Sequence, residues 1–530
     1  MMSRFFTLPR LWLAAAIAFA ILLNTISLPT FAAAQGNGDP IVRTQQGLLK
    51  GLTNQTSQAF LGVPYAAPPV GRLRWQVPVA PSTWQGIRDA TQKQSACPQL
   101  ASSNGPTSTN EDCLYLNVYR PLNVSVWSKL PVFFWIHGGG FLNGSGNQFD
   151  GSVFASQNHE IVVTINYRLG VFGFLAVPQM VSRFPAVGDI GLLDQEAALR
   201  WTNQNITAFG GDPQKVTIAG ESAGGMSVCD LMASPTARGL FRAGIIESGT
   251  CVTNTLAASE ASATTFTNAI GCTDTATVIT CLSSKSTNEL LQAGSNFFSD
   301  PYPDVFVLPL QPYQAIEQGV WNKVSVLMGM NHDEARIAYF WTYPLSVQRY
   351  QQLANSLFGS SAAKVEAEYP LSNYSDPFFA ISAERTDEGF ASMTYVNAGI
   401  MLHSRATVYE FEFAAENEPA PATITAPLGA YHSGELQFVW PGYFGDYSRP
   451  LNASEQRLSQ EIISYWGAFV RNGNPNYLGG VLWEARNPIN NAVLSLRPEG
   501  NVVIHNFAAE HHVPFWTSVI TIPSPGEPVF

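Results

Sequence analysis

The chain has 530 residues, and 39 acidic side chains against 28 basic ones give it a formal net charge of −11 at pH 7. This negative balance argues against nucleic acid and anionic membrane surfaces as partners. Hydrophobic residues make up 46% of the chain and charged residues only 13%, which favours a packed globular protein over a disordered one.

The first 34 residues have the pattern of a secretory signal peptide. Arg4 and Arg10 accompany an apolar run over 11–23, and a small-residue cleavage pattern ends at Ala34. The run is shorter than the ~20 residues that a membrane span needs, and no later stretch reaches that length. We therefore expect an exported protein, extracellular or periplasmic, whose mature chain is one domain over 35–530. A retained N-terminal anchor is the alternative.

Short strands and turns fill the chain up to about residue 120. Residues 47–52 and 59–63 predict a hairpin-like pair, and 114–119 alternates as a strand does. Residues 131–136 are almost wholly apolar, which is typical of a strand covered on both faces. Further strands are predicted at 161–166, 216–219, 243–247, 324–328, 407–413 and 502–505, and helices at 194–206 and 455–471.

Strands that alternate with helical stretches imply an α/β protein with a mostly parallel sheet and helices on both faces. No internal repeat or low-complexity linker divides the chain. Residues 257–322 and 346–405 are helical and poor in strand pattern. We expect these two segments to be insertions over the sheet rather than separate domains.

The six cysteines of an exported chain favour disulfides over a metal site, because no Cys-x-x-Cys or clustered Cys/His spacing is present. Two pairings are local. Cys97 and Cys113 flank a polar loop, and Cys272 and Cys281 flank a short threonine-rich segment. The remaining two, Cys229 and Cys251, form either a third bridge or two buried thiols.

Ser222 is the candidate nucleophile, at the centre of Gly220-Glu221-Ser222-Ala223-Gly224. At a sharp strand-to-helix turn, Gly-x-Ser-x-Gly exposes the serine hydroxyl at the carboxyl edge of a parallel sheet. In a chain with 43 glycines the pentapeptide alone is a weak signal. The apolar strand before it and the helical pattern after it give the motif its weight. Glu221 is expected to shape the electric field near the base without a catalytic step of its own.

A serine nucleophile needs a base that is oriented by a third group. On sheets of this kind the chain order is serine, acid, histidine. His432 lies in a small-residue loop after the strand at 407–413, where it could reach the sheet edge. His403 falls in a helical stretch and His505 in an apolar strand, so we expect both to be structural.

The acid and any metal ligands are less clearly marked. The strand at 324–328 runs into a loop that holds the adjacent carboxylates Asp333 and Glu334, and residue type alone leaves these two level. His511 and His512 are a conceivable metal pair, but no further ligand lies nearby in sequence. The sequence therefore predicts neither a metal site nor a cofactor.

Three consecutive glycines, 138–140, follow the strand at 131–136. Backbone N–H groups approach an anionic oxygen closely only where side chains are absent. The N–H groups of Gly139, Gly140 and Ala223 are therefore predicted to form a three-donor oxyanion hole. Removal of one such donor typically costs ~3 kcal/mol of transition-state stabilisation.

Together these motifs resemble the type-B carboxylesterase, or cholinesterase-like, family of α/β-hydrolases over almost all of the mature chain. The resemblance is carried by residues 111–117, 137–141, 166–168, 188–213 and 220–225. It implies the α/β-hydrolase fold, a central and mostly parallel mixed β-sheet flanked by helices, with helical insertions over the active-site edge.

The resemblance also distinguishes between the open alternatives for the site. The family's glutamate motif falls on 329–334 and favours Glu334 over Asp333, and its histidine motif falls on 429–435 and supports His432. Two of the family's disulfides fall on Cys97–Cys113 and Cys272–Cys281.

One departure from the family narrows the substrate class. The loop between Cys97 and Cys113 is short and has no aromatic residue before Tyr115, whereas cholinesterases carry a tryptophan there and fungal lipases a long lid. Choline esters and lipase action at lipid interfaces are therefore disfavoured. The expected function is that of a secreted serine carboxylesterase acting on small-molecule esters, with no indication of its oligomeric state. The alternatives are a lipase-like, lactone or aryl-ester hydrolase, or a non-catalytic adhesion relative.

Overall fold

The long apolar runs of the sequence form the strands of a central sheet. The computed structural model describes residues 39–520, apart from 103, 296, 298, 299 and 444–446, so the predicted signal peptide at 1–34 lies outside the described residues. The strands are β1 Ile41–Arg43, β2 Leu48–Lys50, β3 Leu52–Thr53, β4 Ser57–Pro64, β5 Ile87–Asp89, β6 Tyr115–Pro121, β7 Leu130–Ile136, β8 Ile161–Ile165, β9 Gly211–Glu221, β10 Ala243–Glu247, β11 Ser325–Asn331, β12 Val408–Phe413, β13 Val493–Leu496 and β14 Val502–Ile504.

Helices connect most of the strands that follow β7. They are α1 Ser152–Asn158, α2 Gly170–Gly173, α3 Pro178–Val181, α4 Ile190–Asn205, α5 Ala223–Ala233, α6 Leu256–Ala269, α7 Val278–Ser284, α8 Thr287–Ala293, α9 Pro312–Glu317, α10 Arg336–Tyr339, α11 Val347–Phe358, α12 Ala362–Glu368, α13 Pro377–Thr386, α14 Ser392–His403, α15 Leu436–Val439, α16 Ala453–Asn472, α17 Phe507–Glu510 and α18 Val513–Val519. A π-helical turn, Asp387–Ala391, joins α13 to α14.

Eleven of the described strands form one mixed sheet in the order β14-β13-β12-β11-β10-β9-β7-β8-β6-β4-β3. Strands from β8 across to β13 are parallel to their neighbours. Antiparallel pairing is confined to the two sides of the sheet. The predicted α/β-hydrolase architecture is confirmed. The carboxyl ends of β7, β9, β11 and β12 meet at one edge, and every predicted catalytic loop follows one of these strands.

Strand β7 shows why the sheet is buried on both faces. Val132, Phe134 and Ile136 belong to one hydrophobic core, while Phe133 and Trp135 belong to another. All five side chains are 0% exposed. A strand that alternates between two cores must be apolar at every position, which accounts for its unbroken hydrophobic run.

The N-terminal strands differ from the prediction. Residues 47–52 and 59–63 do not form one hairpin. Instead, Leu48–Lys50 pairs with β1 and β5 in a separate three-stranded sheet, and only Leu52–Thr53 pairs with β4. Gly51 separates the two short strands, β2 and β3. Its backbone N–H donates a hydrogen bond to the carbonyl of Pro40 and not to β4. A two-residue strand carries too little pattern to reveal which sheet it joins.

The two segments that were expected to be insertions are helical, with α6–α9 in one and α11–α14 in the other. The described residues from Pro40 onward belong to one compact unit. No helix among residues 39–520, as far as they are described, is long and apolar enough to cross a membrane.

All six cysteines are paired. The bonds are Cys97–Cys113, Cys229–Cys251 and Cys272–Cys281. Of the two alternatives for Cys229 and Cys251, the structure has the disulfide. It links α5, which begins directly after Ser222, to the segment that follows β10. Both of its cysteines are 0% exposed.

Candidate active site

Ser222 lies at the turn between β9 and α5 with φ 55° and ψ −125°. A non-glycine residue with such a backbone costs of order 1–3 kcal/mol and persists only where its surroundings hold it. Here the Ser222 N–H donates to the carbonyl of Glu247 at 2.9 Å, and the Ser222 carbonyl accepts from the Met226 N–H at 2.9 Å. The geometry is that of a nucleophile elbow.

The glycines on either side of Ser222 allow strand and helix to pass close together. A Cβ on Gly220 would lie 2.4 Å from the carbonyl carbon of Gly224. A Cβ on Gly224 would lie 2.1 Å from the carbonyl oxygen of Ile136, at the end of β7. Since both contacts are to backbone atoms, no side chain larger than hydrogen fits at either position.

His432 and Glu334 are in direct contact. The Nδ1 atom of the His432 ring lies 2.6 Å from Oε2 of Glu334. In addition, the backbone N–H of His432 donates to the backbone carbonyl of Glu334 at 3.2 Å. The other carboxylate oxygen of Glu334 accepts the N–H of Asn331 at 2.8 Å. Glu334 is 0% exposed, so its orientation toward His432 is fixed from both sides.

Asp333, the neighbouring carboxylate, points to other partners. It lies 2.7 Å from Nη2 of Arg336 and 3.0 Å from Nδ1 of His332, and it accepts the N–H of Ala430 at 3.0 Å. Consecutive residues after a strand direct their side chains to different sides. The structure therefore places Glu334, and not Asp333, against His432.

The second ring nitrogen of His432 faces the elbow. Its Nε2 atom lies 3.3 Å from Oε1 of Glu221, the residue directly before Ser222. The hydroxyl of Ser433 donates to the same Glu221 oxygen at 2.5 Å. The ring of Phe390, in the π-helical turn, lies 5.4 Å from the imidazole. His432 is thus held between one carboxylate on each side.

Two more buried carboxyl groups lie behind Glu221. Trp466 donates to Glu247 at 2.7 Å, and Asn331 donates to Glu435. Burial raises the pKa of Glu247 to about 8 and, together with the neighbouring carboxylates, raises the pKa of Glu435 far above its usual range. Burial raises the pKa of Glu221 as well, while His432 and Ser433 oppose that rise.

Burial lowers the pKa of His432, but the carboxylates of Glu334 and Glu221 outweigh it. The net result is a pKa of about 9. The two carboxylates therefore favour the charged form of the imidazole. The same charges stabilise the imidazolium that forms when the ring accepts a proton from a nucleophile.

The predicted oxyanion loop follows β7 directly. Gly139 and Gly140 have φ of 101° and 59°, conformations that favour glycine. A Cβ on Gly139 would lie 2.3 Å from the carbonyl oxygen of Asn143, and a Cβ on Gly138 would lie 3.0 Å from Cβ of Ser222. The loop therefore passes directly over the elbow.

Within the described chain, the backbone N–H groups of Gly139, Gly140 and Ala223 donate to no other protein group. Ala223 is the first residue of α5, where an N–H has no partner inside the helix. Unpaired N–H groups on glycines and at a helix N-terminus are suited to bind a negatively charged oxygen.

Sequence reasoning missed several of these neighbours. Ser433 and Glu435 fall within the histidine motif at 429–435, which could have drawn attention to them. Phe390 lies in a helical insertion, and nothing in the sequence around it indicated that it contacts the site. The contact between Ser433 and Glu221 joins positions 212 apart.

Comparison with known proteins gives a consistent picture. The sequence profile of the carboxylesterase family matches residues 38–516. Human cocaine esterase is 34% identical over 493 residues, covering 85% of this chain and 86% of that protein. Para-nitrobenzyl esterase of Bacillus subtilis (strain 168) is 35% identical over 459 residues, covering 82% of this chain and 90% of that protein.

Solved structures agree with the sequence matches. A PNB esterase superimposes with a TM-score of 0.77 at 32% identity, covering 91% of this chain and 99% of that chain. A carboxylesterase of Geobacillus stearothermophilus gives a TM-score of 0.77 at 31% identity, covering 89% of this chain and 99% of that chain.

Proposed function

This chain belongs to the carboxylesterase family and is a carboxylic ester hydrolase, and on that basis we propose that it acts through a triad of Ser222, His432 and Glu334. The observation that carries the proposal is the 2.6 Å contact between His432 Nδ1 and Glu334, with the opposite nitrogen facing the residue before Ser222. In a serine hydrolase the acid orients the histidine on one side, and the other ring nitrogen, which here lies at the elbow, activates the serine hydroxyl.

The proposed reaction has two halves. His432 takes the proton of the Ser222 hydroxyl as its oxygen attacks the ester carbonyl. The N–H groups of Gly139, Gly140 and Ala223 bind the oxyanion, and His432 then protonates the departing alcohol. In the second half, water activated by His432 attacks the acyl-enzyme, which releases the carboxylic acid and restores the serine. Glu334 holds the imidazole in the required tautomer throughout.

The proposal also covers where the protein acts and how far its hydrolase domain extends. Three disulfides and no free cysteine are found in the described chain, which fits an oxidising compartment. We infer a secreted enzyme that is cleaved near Ala34 and whose residues 35–530 form one hydrolase domain. Its substrate is a small-molecule carboxylic ester.

Fluorophosphonate labelling tests the proposed nucleophile. Purified protein that hydrolyses p-nitrophenyl acetate should lose activity in step with covalent labelling, and peptide mass spectrometry should place the label on Ser222. The reason is that only a serine activated by a base attacks the phosphorus centre. Folded protein that takes up no label, or takes it up at another serine, would contradict the proposal and favour a non-catalytic relative.

The pH profile tests the charge environment of His432. Since two carboxylates hold its pKa at about 9, kcat/KM should rise as pH increases and reach half its plateau near that value. Glu221→Gln removes one of the two charges, so the pKa of His432 should fall. The rising limb should then move to lower pH by about one pH unit.

Glu435→Gln is the matched control for this profile. Burial and the neighbouring carboxylates raise the pKa of its carboxyl group far above the usual range, and that group accepts from Asn331, so the substitution should change the charge near the base less than Glu221→Gln does. We expect the rising limb of this variant to overlay that of the parent protein. Two outcomes would show that Glu221 does not set the pKa of the base. In the first, the rising part of the pH profile of Glu221→Gln coincides with that of the parent protein. In the second, the profile of Glu435→Gln is displaced as far as that of Glu221→Gln.

A further inference from the structure

A second cluster of ionisable side chains lies beside the loop that carries Glu334. His332 directly follows β11, Glu412 lies on the neighbouring strand β12, and His511 follows α17. One potential ligand atom from each of the three lies within 4.8 Å of the other two. The sequence alone predicts no metal site because these residues are far apart in the chain. The pairing of β11 with β12 brings two of them together.

Both imidazoles of the cluster are oriented by a carboxylate. Nδ1 of His511 lies 2.6 Å from Oδ1 of Asp387, and Nδ1 of His332 lies 3.0 Å from Oδ1 of Asp333. A histidine that binds a metal through one ring nitrogen usually donates the other N–H to such a group. This leaves Nε2 as the ligand atom on each ring.

The two Nε2 atoms face further carboxylates. Nε2 of His511 lies 2.8 Å from Oε1 of Glu412, and Nε2 of His332 lies 3.9 Å from Oε1 of Glu510. Two imidazole nitrogens and one or two carboxylate oxygens are a ligand set typical of zinc. Nitrogen donors of this kind disfavour calcium and magnesium, which prefer oxygen ligands only.

The cluster is buried on one side and open on the other. Glu412 and His511 are buried, whereas the side chains of His332 and Glu510 are 32% and 37% exposed. A cavity of about 380 Å³ lined by His332, Glu510 and His511 provides a path from solvent. An ion could therefore enter without unfolding of the core.

The charge balance also favours a cation. Four carboxylates contact the two imidazoles, those of Asp333, Asp387, Glu412 and Glu510. Among the described residues, Arg336 is the one lysine or arginine that forms an ion pair with any of these four carboxylates; it lies 2.7 Å from Asp333. A bound divalent cation would balance the remaining negative charge, as would protons on the imidazoles or on the carboxyl groups.

The geometry points to a zinc-class divalent metal site formed by His332 Nε2, His511 Nε2 and Glu412, with Glu510 or water as the fourth ligand. Zinc sites of this type have ligand distances of about 2.0–2.2 Å, so the ligand atoms must lie about 3.4 Å apart. In the structure the three potential ligand atoms lie within 4.8 Å of one another, so a bound ion would draw them closer together. Most of that movement would be made by the side chain of His332, which is 32% exposed. The bound ion is not part of the ester chemistry; it fixes the loop two residues before Glu334.

Zinc titration of the full secreted protein tests the site. After treatment with a chelator and dialysis, isothermal titration with Zn²⁺ should show one ion per chain with a micromolar or lower Kd, and Mg²⁺ should show no saturable binding. His332→Ala and Glu412→Gln should each weaken zinc binding at least tenfold. His512→Ala is the matched control. That neighbouring imidazole lies 2.6 Å from Glu368 and belongs to no ligand set, so its loss should leave the affinity unchanged.

Folding and binding are separated by two further measurements. Circular dichroism should show that His332→Ala, a change at a partly exposed position, keeps the fold. Co²⁺ should give the visible absorption of a four-coordinate ion in the parent protein, and this band should be lost in His332→Ala. Absence of saturable zinc binding, or equal weakening by His512→Ala and His332→Ala, would overturn the proposal. The cluster would then be a network of protonated histidines and carboxylates.

Discussion

Replacement of Ser222 by alanine is expected to lower kcat for p-nitrophenyl esters by up to about a millionfold, because no acyl-enzyme can form. The backbone has no reason to change, since alanine keeps the Cβ and only the hydroxyl is removed. The remaining activity should come from the oxyanion donors and substrate binding alone. The measurement is kcat at saturating substrate, together with the loss of fluorophosphonate labelling.

Ser248→Ala is the matched control for this experiment. Ser248 directly follows β10 beside the elbow, is buried and also has a positive φ, of 52°. Its hydroxyl has no hydrogen-bond partner in the described chain, so the substitution breaks no contact. We expect activity within a few-fold of the parent protein. A Ser222→Ala protein that keeps more than a few per cent of activity would disprove the proposed nucleophile.

Substitution of Glu334 by glutamine is expected to lower kcat by about ten thousandfold. Glutamine fits the same space, but its amide group donates to Nδ1 of His432 and so holds the ring with its proton on Nε2. A ring in that tautomer cannot accept the serine proton. The measurement is again kcat, with thermal unfolding to show that the variant is folded.

Asp333→Asn is the matched control, because the two carboxylates are adjacent in sequence but contact different partners. Loss of the charged contacts to Arg336 and His332 should lower the free energy of unfolding by about 1–3 kcal/mol. We expect kcat to change by less than tenfold. If Asp333→Asn lost far more activity than Glu334→Gln, the acid would be assigned to the wrong residue.

The central part of the fold could be predicted because its strands are buried on both faces. A short and unbroken apolar run such as Leu130–Ile136 is typical of a strand in that position. Strand β13, Val493–Leu496, was missed because Ser495, which is buried against Glu412, interrupts its apolar run. The pairing of Leu48–Lys50 was wrong because a three-residue strand does not reveal which sheet it joins. Strand β12 contains two glutamates among apolar residues, and both are 0% exposed. Their burial follows from partners that are distant in the sequence.

The same distinction between local and long-range contacts separates the site residues that could be predicted from those that could not. Ser222, Gly139 and Gly140 could be selected because each depends on the local backbone, and glycine patterns reveal local backbone. The choice between Asp333 and Glu334 depends on which way each side chain turns after a strand, so only the family resemblance separated them. The contacts of Glu221 with Ser433 and of Glu412 with His511 join distant positions. No spacing rule within one sequence reveals such contacts.

The disulfide between Cys229 and Cys251 bears on when the candidate active site gains its full stability. It closes a segment of 22 residues, a cross-link that stabilises the folded state by about 3 kcal/mol in the chain-entropy description. The helix that it anchors supplies the Ala223 N–H and supports the serine at its start. Before oxidation, that helix is held only by noncovalent packing. If the chain is exported as we propose, the precursor inside the cell lacks this cross-link, and we expect the elbow to gain its full stability only after translocation.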